Sequence, residues 1–122
     1  MYRLEACSRC AAQPAAMIEE MSPLVLNRRR ESGEPWQLLD VRELWELELA
    51  SIAEAKHIPM AEITLRHREL DREQPVAVIC HSGVRSARVA AYLAQNGFDR
   101  AVNVTGGIDA WSLQVDNSVP RY

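Results

Sequence analysis

Apolar residues in this chain gather in short runs, and longer stretches at helical spacing separate those runs. WQLLDV (36–41) is apolar without alternation, which predicts a strand buried on both faces. AKHIPM (55–60) predicts a short strand ended by Pro59. VAVIC (76–80), led in by Pro75, and RAVNV (100–104) predict two more strands. Between them lie helical patterns. Ser22-Pro23 supplies an N-cap and a first-turn proline for a helix to about Glu31, stopped by Gly33. RELWELELA sets Leu44 with Leu47 and Trp45 with Leu49 at helical spacing, and AEITLRHREL (61–70) reads as a third helix. SARVAAYLAQNG puts Val89, Tyr92 and Leu93 on one face and ends on Asn96-Gly97, and IDAWSLQV follows the Gly106-Gly107 turn. Strands alternating with helices predict an α/β, three-layer domain: a mostly parallel sheet with helices on both faces.

Length and composition narrow this picture. The chain has 122 residues, enough for one domain with its own core. Residues 1–21 show no clear period and read as a flexible or loosely docked arm. The domain is expected over residues 22–118, with an irregular tail at 119–122. The net charge of −3 argues against bulk binding to nucleic acid or an anionic membrane. No stretch is long and apolar enough for a span, and three cysteines do not make a secreted disulfide framework. The reading is a cytoplasmic protein in which a thiol stays reduced. The arginines at 28–30 read as a solvated helix end.

The chemistry concentrates in CHSGVRS (80–86). Cys80 closes a strand, a tight polar loop follows, and a helix begins. Ligands of parallel sheets bind beyond such strand ends. Successive backbone N–H groups turned inward, with the helix N-terminus behind them, make a nest for an anion or a thiolate. Gly83 gives the loop freedom to curl, Ser82 and Ser86 offer hydroxyls, and Ser86 is a candidate cap. Arg85 brings a permanent cation with planar donors. Cys80 is therefore expected to be acidic and nucleophilic.

Other residues are weighed against blander roles. Asp40, at a strand end, either fixes the loop or Arg85, or caps the helix after it. Arg42 either lines the pocket mouth or is exposed in a first helical turn, where a cation gains nothing; exposure is favoured. His81 reads as an access or specificity residue rather than a base. His57 and His67 lack metal-ligand spacing and read as structural, and no metal site is expected. CSRC (7–10) is one CxxC outside a βα setting, too few ligands for zinc within the chain; an exposed, inert arm is expected. Trp36, Trp45 and Trp111 read as core and rim packing.

Four stretches together resemble the rhodanese family of sulfurtransferases: LLDVRE (38–43), SIAEAKHIPM (51–60), VICHSGVRSARVAAYLAQNGF (78–98) and NVTGGIDAW (103–111). Ser51 and Glu54 stand where the family commonly has His and Gly, which implies altered turn geometry. The resemblance implies a rhodanese-like fold and a thiosulfate sulfurtransferase type of enzyme without cofactor. Cys80 would attack a small sulfur-containing anion such as thiosulfate, become a persulfide, and pass the sulfur to a thiol, cyanide or a sulfur-accepting protein. His81, Ser82, Gly83, Val84, Arg85 and Ser86 would bind the substrate, with Asp40 and Arg42 in support. Neither nucleic acid nor membrane is an implied partner. Related phosphatases and arsenate reductases share the architecture, but Cys-based phosphatases place one more residue between Cys and Arg. The four residues from His81 to Val84 make a smaller cradle, suited to one added sulfur. A carrier that holds a persulfide without turnover is the alternative to the enzyme.

Overall fold

Parallel strands can be joined only by crossovers, and the helical segments between the apolar runs supply them. The structure, a computed structural model, describes residues 18–122. Its strands are β1 (Glu20–Met21), β2 (Gln37–Asp40), β3 (Lys56–His57), β4 (Val76–Ile79) and β5 (Ala101–Val104). Its α-helices are α1 (Pro23–Glu31), α2 (Leu44–Leu49), α3 (Ile63–Arg66), α4 (Val84–Gln95) and α5 (Gly107–Gln114). The five strands form one sheet in the order β1-β5-β4-β2-β3, and every pairing is parallel. The α/β reading with a parallel sheet and helices on both faces holds.

Strand alternation divides the core between the two faces. Val76, Val78 and Cys80 join Leu39, Val89, Leu93 and Phe98 on one side. Ala77 and Ile79 join Leu38, Leu26, Val102, Ile108 and Trp111 on the other. β4 lies at the centre of the sheet, so the residue that follows it, Cys80, is only 1% exposed. The same alternation points it towards α4.

Local signals set the helix ends as expected. Ser22 Oγ accepts a hydrogen bond from the Val25 N–H at 3.2 Å, and Pro23 opens α1. The stretch 61–70 is less regular than its pattern predicts: α3 is a single turn between 3-10 turns at Met60–Glu62 and His67–Glu69. Among the described residues, no helix is long and apolar enough to cross a membrane.

Three expectations meet a different outcome, and a fourth lies outside the described residues. The boundary at residue 22 leaves out Glu20–Met21, which pair with Asn103 and Val104 as an edge strand; Ile18 and Met21 are buried. The CxxC at Cys7 and Cys10 lies outside the described residues. In α2, Leu44, Trp45 and Leu49 are exposed while Glu46 is 3% exposed, so Trp45 does not serve as core packing. The helix is held through its one inward carboxylate rather than its apolar side chains. Residues 119–122, set apart as a tail, are docked: the Ser112 hydroxyl donates to the Val119 carbonyl at 2.6 Å, and Tyr122 reaches the loop after β4.

Candidate active site

The loop after β4 is held by its carbonyls. The N–H of Ile108 donates to the Cys80 carbonyl at 2.8 Å, and that of Asp109 donates to the His81 carbonyl at 3.3 Å. With these carbonyls tied to the first turn of α5, the amides that follow are free to turn towards Sγ. Gly107 permits the approach, because any Cβ there would collide with the Cys80 and His81 carbonyl oxygens. Gly83 makes the turn itself at φ 106, a conformation side-chain-bearing residues rarely adopt.

Cys80 Sγ accepts from the Gly83 N–H at 3.1 Å, from the Ser86 N–H at 3.4 Å and from the Ser86 hydroxyl at 3.2 Å. Burial pushes the Cys80 thiol up. The Ser86 hydroxyl and the N–H groups of Ser86, Gly83 and Ser82 act against it, and the net result lies below the ordinary thiol value. Hydrogen bonds to a charged form favour that form, so the site suits a thiolate.

Ser86 does not cap α4. Gly83 occupies the N-cap position, and Ser86, in the first turn of the helix, is fully buried. Its hydroxyl also bonds Asn103 Oδ1. Asn103, from β5, places Nδ2 3.0 Å from the Gly83 carbonyl and 3.1 Å from both carboxylate oxygens of Glu20. A polar residue in the middle of a buried strand run was the available signal for Asn103, but its partners are distant in sequence.

Arg85 is engaged with an unexpected partner. Its two terminal nitrogens lie 2.7 and 2.8 Å from the two oxygens of Glu46, a bidentate ion pair. The Arg85 bond holds the Glu46 carboxyl at about 2 despite burial, with help from the Glu43 N–H and Tyr122. Glu43 N–H donates to Glu46 Oε2 at 2.9 Å; the E-x-x-E spacing at a helix start was the signal for this residue.

Asp40 and Arg42 correct the expectations attached to them. Asp40 neither caps α2, whose N-cap is Glu43, nor touches Arg85. It binds Arg42, with Oδ1 2.9 Å from Nε and Oδ2 2.7 Å from Nη2. Arg42 is completely buried, not exposed. Its donors are satisfied by Asp40, by the Ala50 carbonyl at 2.8 Å and by the Tyr122 hydroxyl at 2.9 Å, which is what makes a buried guanidinium tolerable. Tyr122 in turn donates to Glu46 Oε1 at 2.9 Å and stacks its ring on His81, with centroids 4.2 Å apart. His81 thus leans on the tail and makes no hydrogen bond to Sγ. Ser82 and Val84 are exposed at the mouth of the loop.

The remaining histidines sit in the framework. His57 Nε2 is 2.7 Å from the Arg42 carbonyl, and His67 packs edge-on against Tyr92 and Phe98. Among the described residues, no group of His, Cys, Asp and Glu is arranged to hold a metal ion.

Known proteins are similar to this chain in sequence and in fold. The chain is 40% identical over 94 residues to a putative sulfurtransferase, YtwF, of Bacillus subtilis, covering 77% of this chain and 90% of the relative. It is 35% identical to a putative sulfur carrier protein, YrkF, of the same organism, matching 84% of this chain but spanning only 55% of that protein. The crystal structure of a rhodanese-like domain protein from Staphylococcus aureus superposes with a TM-score of 0.74 at 32% identity, covering 86% of this chain and 99% of that one. A family model for the rhodanese-like domain matches residues 22–114, a span that contains β2, β4, the Cys80 loop and the Gly106-Gly107 turn, and the chain belongs to that family.

Proposed function

We propose that this protein is a sulfurtransferase that moves a sulfane sulfur from a donor such as thiosulfate to a thiol or cyanide through a persulfide on Cys80. The observation that carries this reading is the set of donors around Sγ: two backbone N–H groups and one hydroxyl within 3.4 Å of a buried sulfur. The Cys80 thiolate attacks the outer sulfur of thiosulfate, a new S–S bond forms, and the donor's S–S bond breaks with its electron pair leaving on sulfite. An acceptor thiolate or cyanide then attacks the outer sulfur and returns Cys80 as a thiolate. The reaction divides one transfer into two easier ones. It needs no cofactor, and it requires a reduced Cys80, which suits a cytoplasmic setting.

The substrate contacts follow from the loop. Amides from His81 to Ser86 stabilise negative charge on Sγ and on the outer sulfur. Exposed Ser82 and Val84 flank the entrance. Arg85, with its terminal nitrogens turned to Glu46, meets an incoming anion through the guanidinium's remaining N–H groups and its charge. The short cradle favours one added sulfur over a tetrahedral phosphate.

Thiosulfate:cyanide turnover tests the reading. Wild type is expected to be active and Cys80→Ser inactive, with one extra sulfur on the Cys80 peptide of donor-treated wild type by mass spectrometry. A persulfide without turnover favours the carrier reading, which the similarity to a putative sulfur carrier supports. Hydrolysis of an aryl phosphate by wild type overturns both.

A further inference from the structure

The Ser86 hydroxyl has one proton and two claimants. Its oxygen lies 3.2 Å from Cys80 Sγ and also bonds Asn103 Oδ1. The Asn103 amide cannot turn over to relieve the competition. Its Nδ2 faces the Gly83 carbonyl and both oxygens of Glu20, at 3.0 and 3.1 Å. These groups only accept hydrogen bonds, so the NH2 must face them and the carbonyl must face Ser86. Glu20 is itself steadied by the Thr105 hydroxyl at 2.9 Å.

Two arrangements result. When Ser86 donates to Asn103, it turns only lone pairs towards Sγ, which suits a protonated thiol or a neutral sulfur. When it donates to Sγ, the thiolate gains a third donor, and Asn103 Oδ1 is left buried without one. We propose that Asn103, oriented by Glu20 and the Gly83 carbonyl, is a positioning residue that directs the Ser86 proton and thereby sets the balance between free and sulfur-loaded Cys80. The inference rests on the sulfur-transfer reading for its purpose. In a persulfide the negative charge sits on the outer sulfur, so the inner Sγ no longer needs the hydroxyl and the proton returns to Asn103. Asn103 therefore opposes the bare thiolate and favours the loaded form.

The other charged or titratable groups around the loop stay the same in every protein compared below. They are Arg85 of α4 with its partner Glu46 of α2, His81 on the loop, Tyr122 stacked on it with Arg42 behind, Asp109 of α5 and Glu20 of β1.

The test is a thermodynamic cycle on the full chain. Iodoacetamide modification of the Cys80 peptide is followed by mass spectrometry against pH for wild type, Ser86→Ala, Asn103→Ala and the double variant. Asn103→Ala frees the hydroxyl for Sγ, and at a pH below the midpoint Cys80 is expected to react about tenfold faster, the effect of one hydrogen bond to a charged group. Ser86→Ala is expected to change the wild-type rate less than about threefold but to slow the Asn103→Ala protein about tenfold. An equal effect of Ser86→Ala in both backgrounds, or an Asn103→Ala midpoint unchanged or raised, overturns the proposal. Should Asn103→Ala fail to fold, Ser86→Ala alone decides, since it removes a single oxygen: a slowing of about tenfold in the wild-type background overturns the proposal, and little change supports it. The titration needs no sulfur donor. Loss of the cycle with intact turnover rejects this inference alone, and an intact cycle without turnover rejects only the sulfurtransferase.

Discussion

Arg85 lies flat against Glu46, with Nη1 2.7 Å from Oε2 and Nη2 2.8 Å from Oε1. The pair joins the first turn of α4, which carries the Cys80 loop, to α2, which follows β2. Glu46 is buried while a third of the Arg85 side chain is exposed. The carboxylate thus depends on the arginine more than the arginine depends on it. Tyr122 and Arg42 extend the same network to the end of the described chain and to Asp40.

Glu46→Gln should lower stability by about 2 kcal/mol, below the range for a fully buried pair because water screens the exposed side of Arg85. The loss should depend on pH in a defined direction. The Glu46 carboxyl is held at about 2 in the folded protein, against an ordinary 4.5, so its contribution is complete above the ordinary value and disappears as pH falls from there through the folded value. Urea melts of wild type and variant at neutral pH and towards pH ~2.5 check this. The gap between them should close as the medium becomes more acid.

Gly107→Ala should abolish turnover with only a moderate loss of helix content. The added Cβ meets the Cys80 and His81 carbonyl oxygens, so the loop must move off the first turn of α5. Its amides then lose their aim at Sγ. Alkylation of Cys80 near neutral pH should slow alongside turnover, because the thiolate loses its donors. Circular dichroism and the alkylation rate on the same sample separate loop damage from unfolding. A variant as active as wild type would contradict the role given to the α5 contact.

Tyr122→Phe keeps the stack on His81 but removes the hydroxyl that links Arg42 to Glu46. A thermal melt should show a loss of about 1–2 kcal/mol, since a buried donor of Arg42 goes unpaired. Tyr122→Ala loses the stack as well and should be less stable than the phenylalanine variant. It should also raise KM for the sulfur donor more than it lowers kcat, because His81 is then free to swing across the entrance.

Cys80 should be alkylated with a midpoint below that of a free cysteine, in the direction set by the donors from Ser86, Gly83 and Ser82. Because the folded value is depressed, the ionised sulfur adds stability at alkaline pH, and this contribution is lost as pH falls through the folded midpoint. Cys80→Ser, compared with wild type from pH ~7 to ~9.5, should therefore fall increasingly behind in stability as pH rises.

Much of this protein could be read along the chain. The strands at 37–40, 76–79 and 101–104, the helices after them, the capping of α1 by Ser22 and the loop that begins at Cys80 all depend on neighbours within a turn or two. Apolar periodicity, a proline and a few polar residues determine such features locally. The family resemblance could be read for the same reason, since its motifs are contiguous.

What tertiary structure decided are the partners of charge. Sequence spacing favoured solvent for Arg42, left Asp40 between fixing the loop or Arg85 and capping a helix, and named no protein partner for Arg85 other than Asp40. In the fold, Arg42 is enclosed by Asp40, the Glu46 and Ala50 carbonyls and Tyr122, and Arg85 pairs with Glu46. Leu44, Trp45 and Leu49 of α2 face outward while Leu47 is half-buried, and the buried carboxylate facing a guanidinium marks the side of this short helix that turns inward. An ion pair is specified by two residues that meet in space, 39 positions apart for Glu46 and Arg85 and 76 for Glu46 and Tyr122. No local pattern records such a meeting. The sequence by itself determined where the reactive sulfur lies and what loop surrounds it; the packing of β1, α2 and the C-terminal residues around that loop decided how its charges and protons are directed.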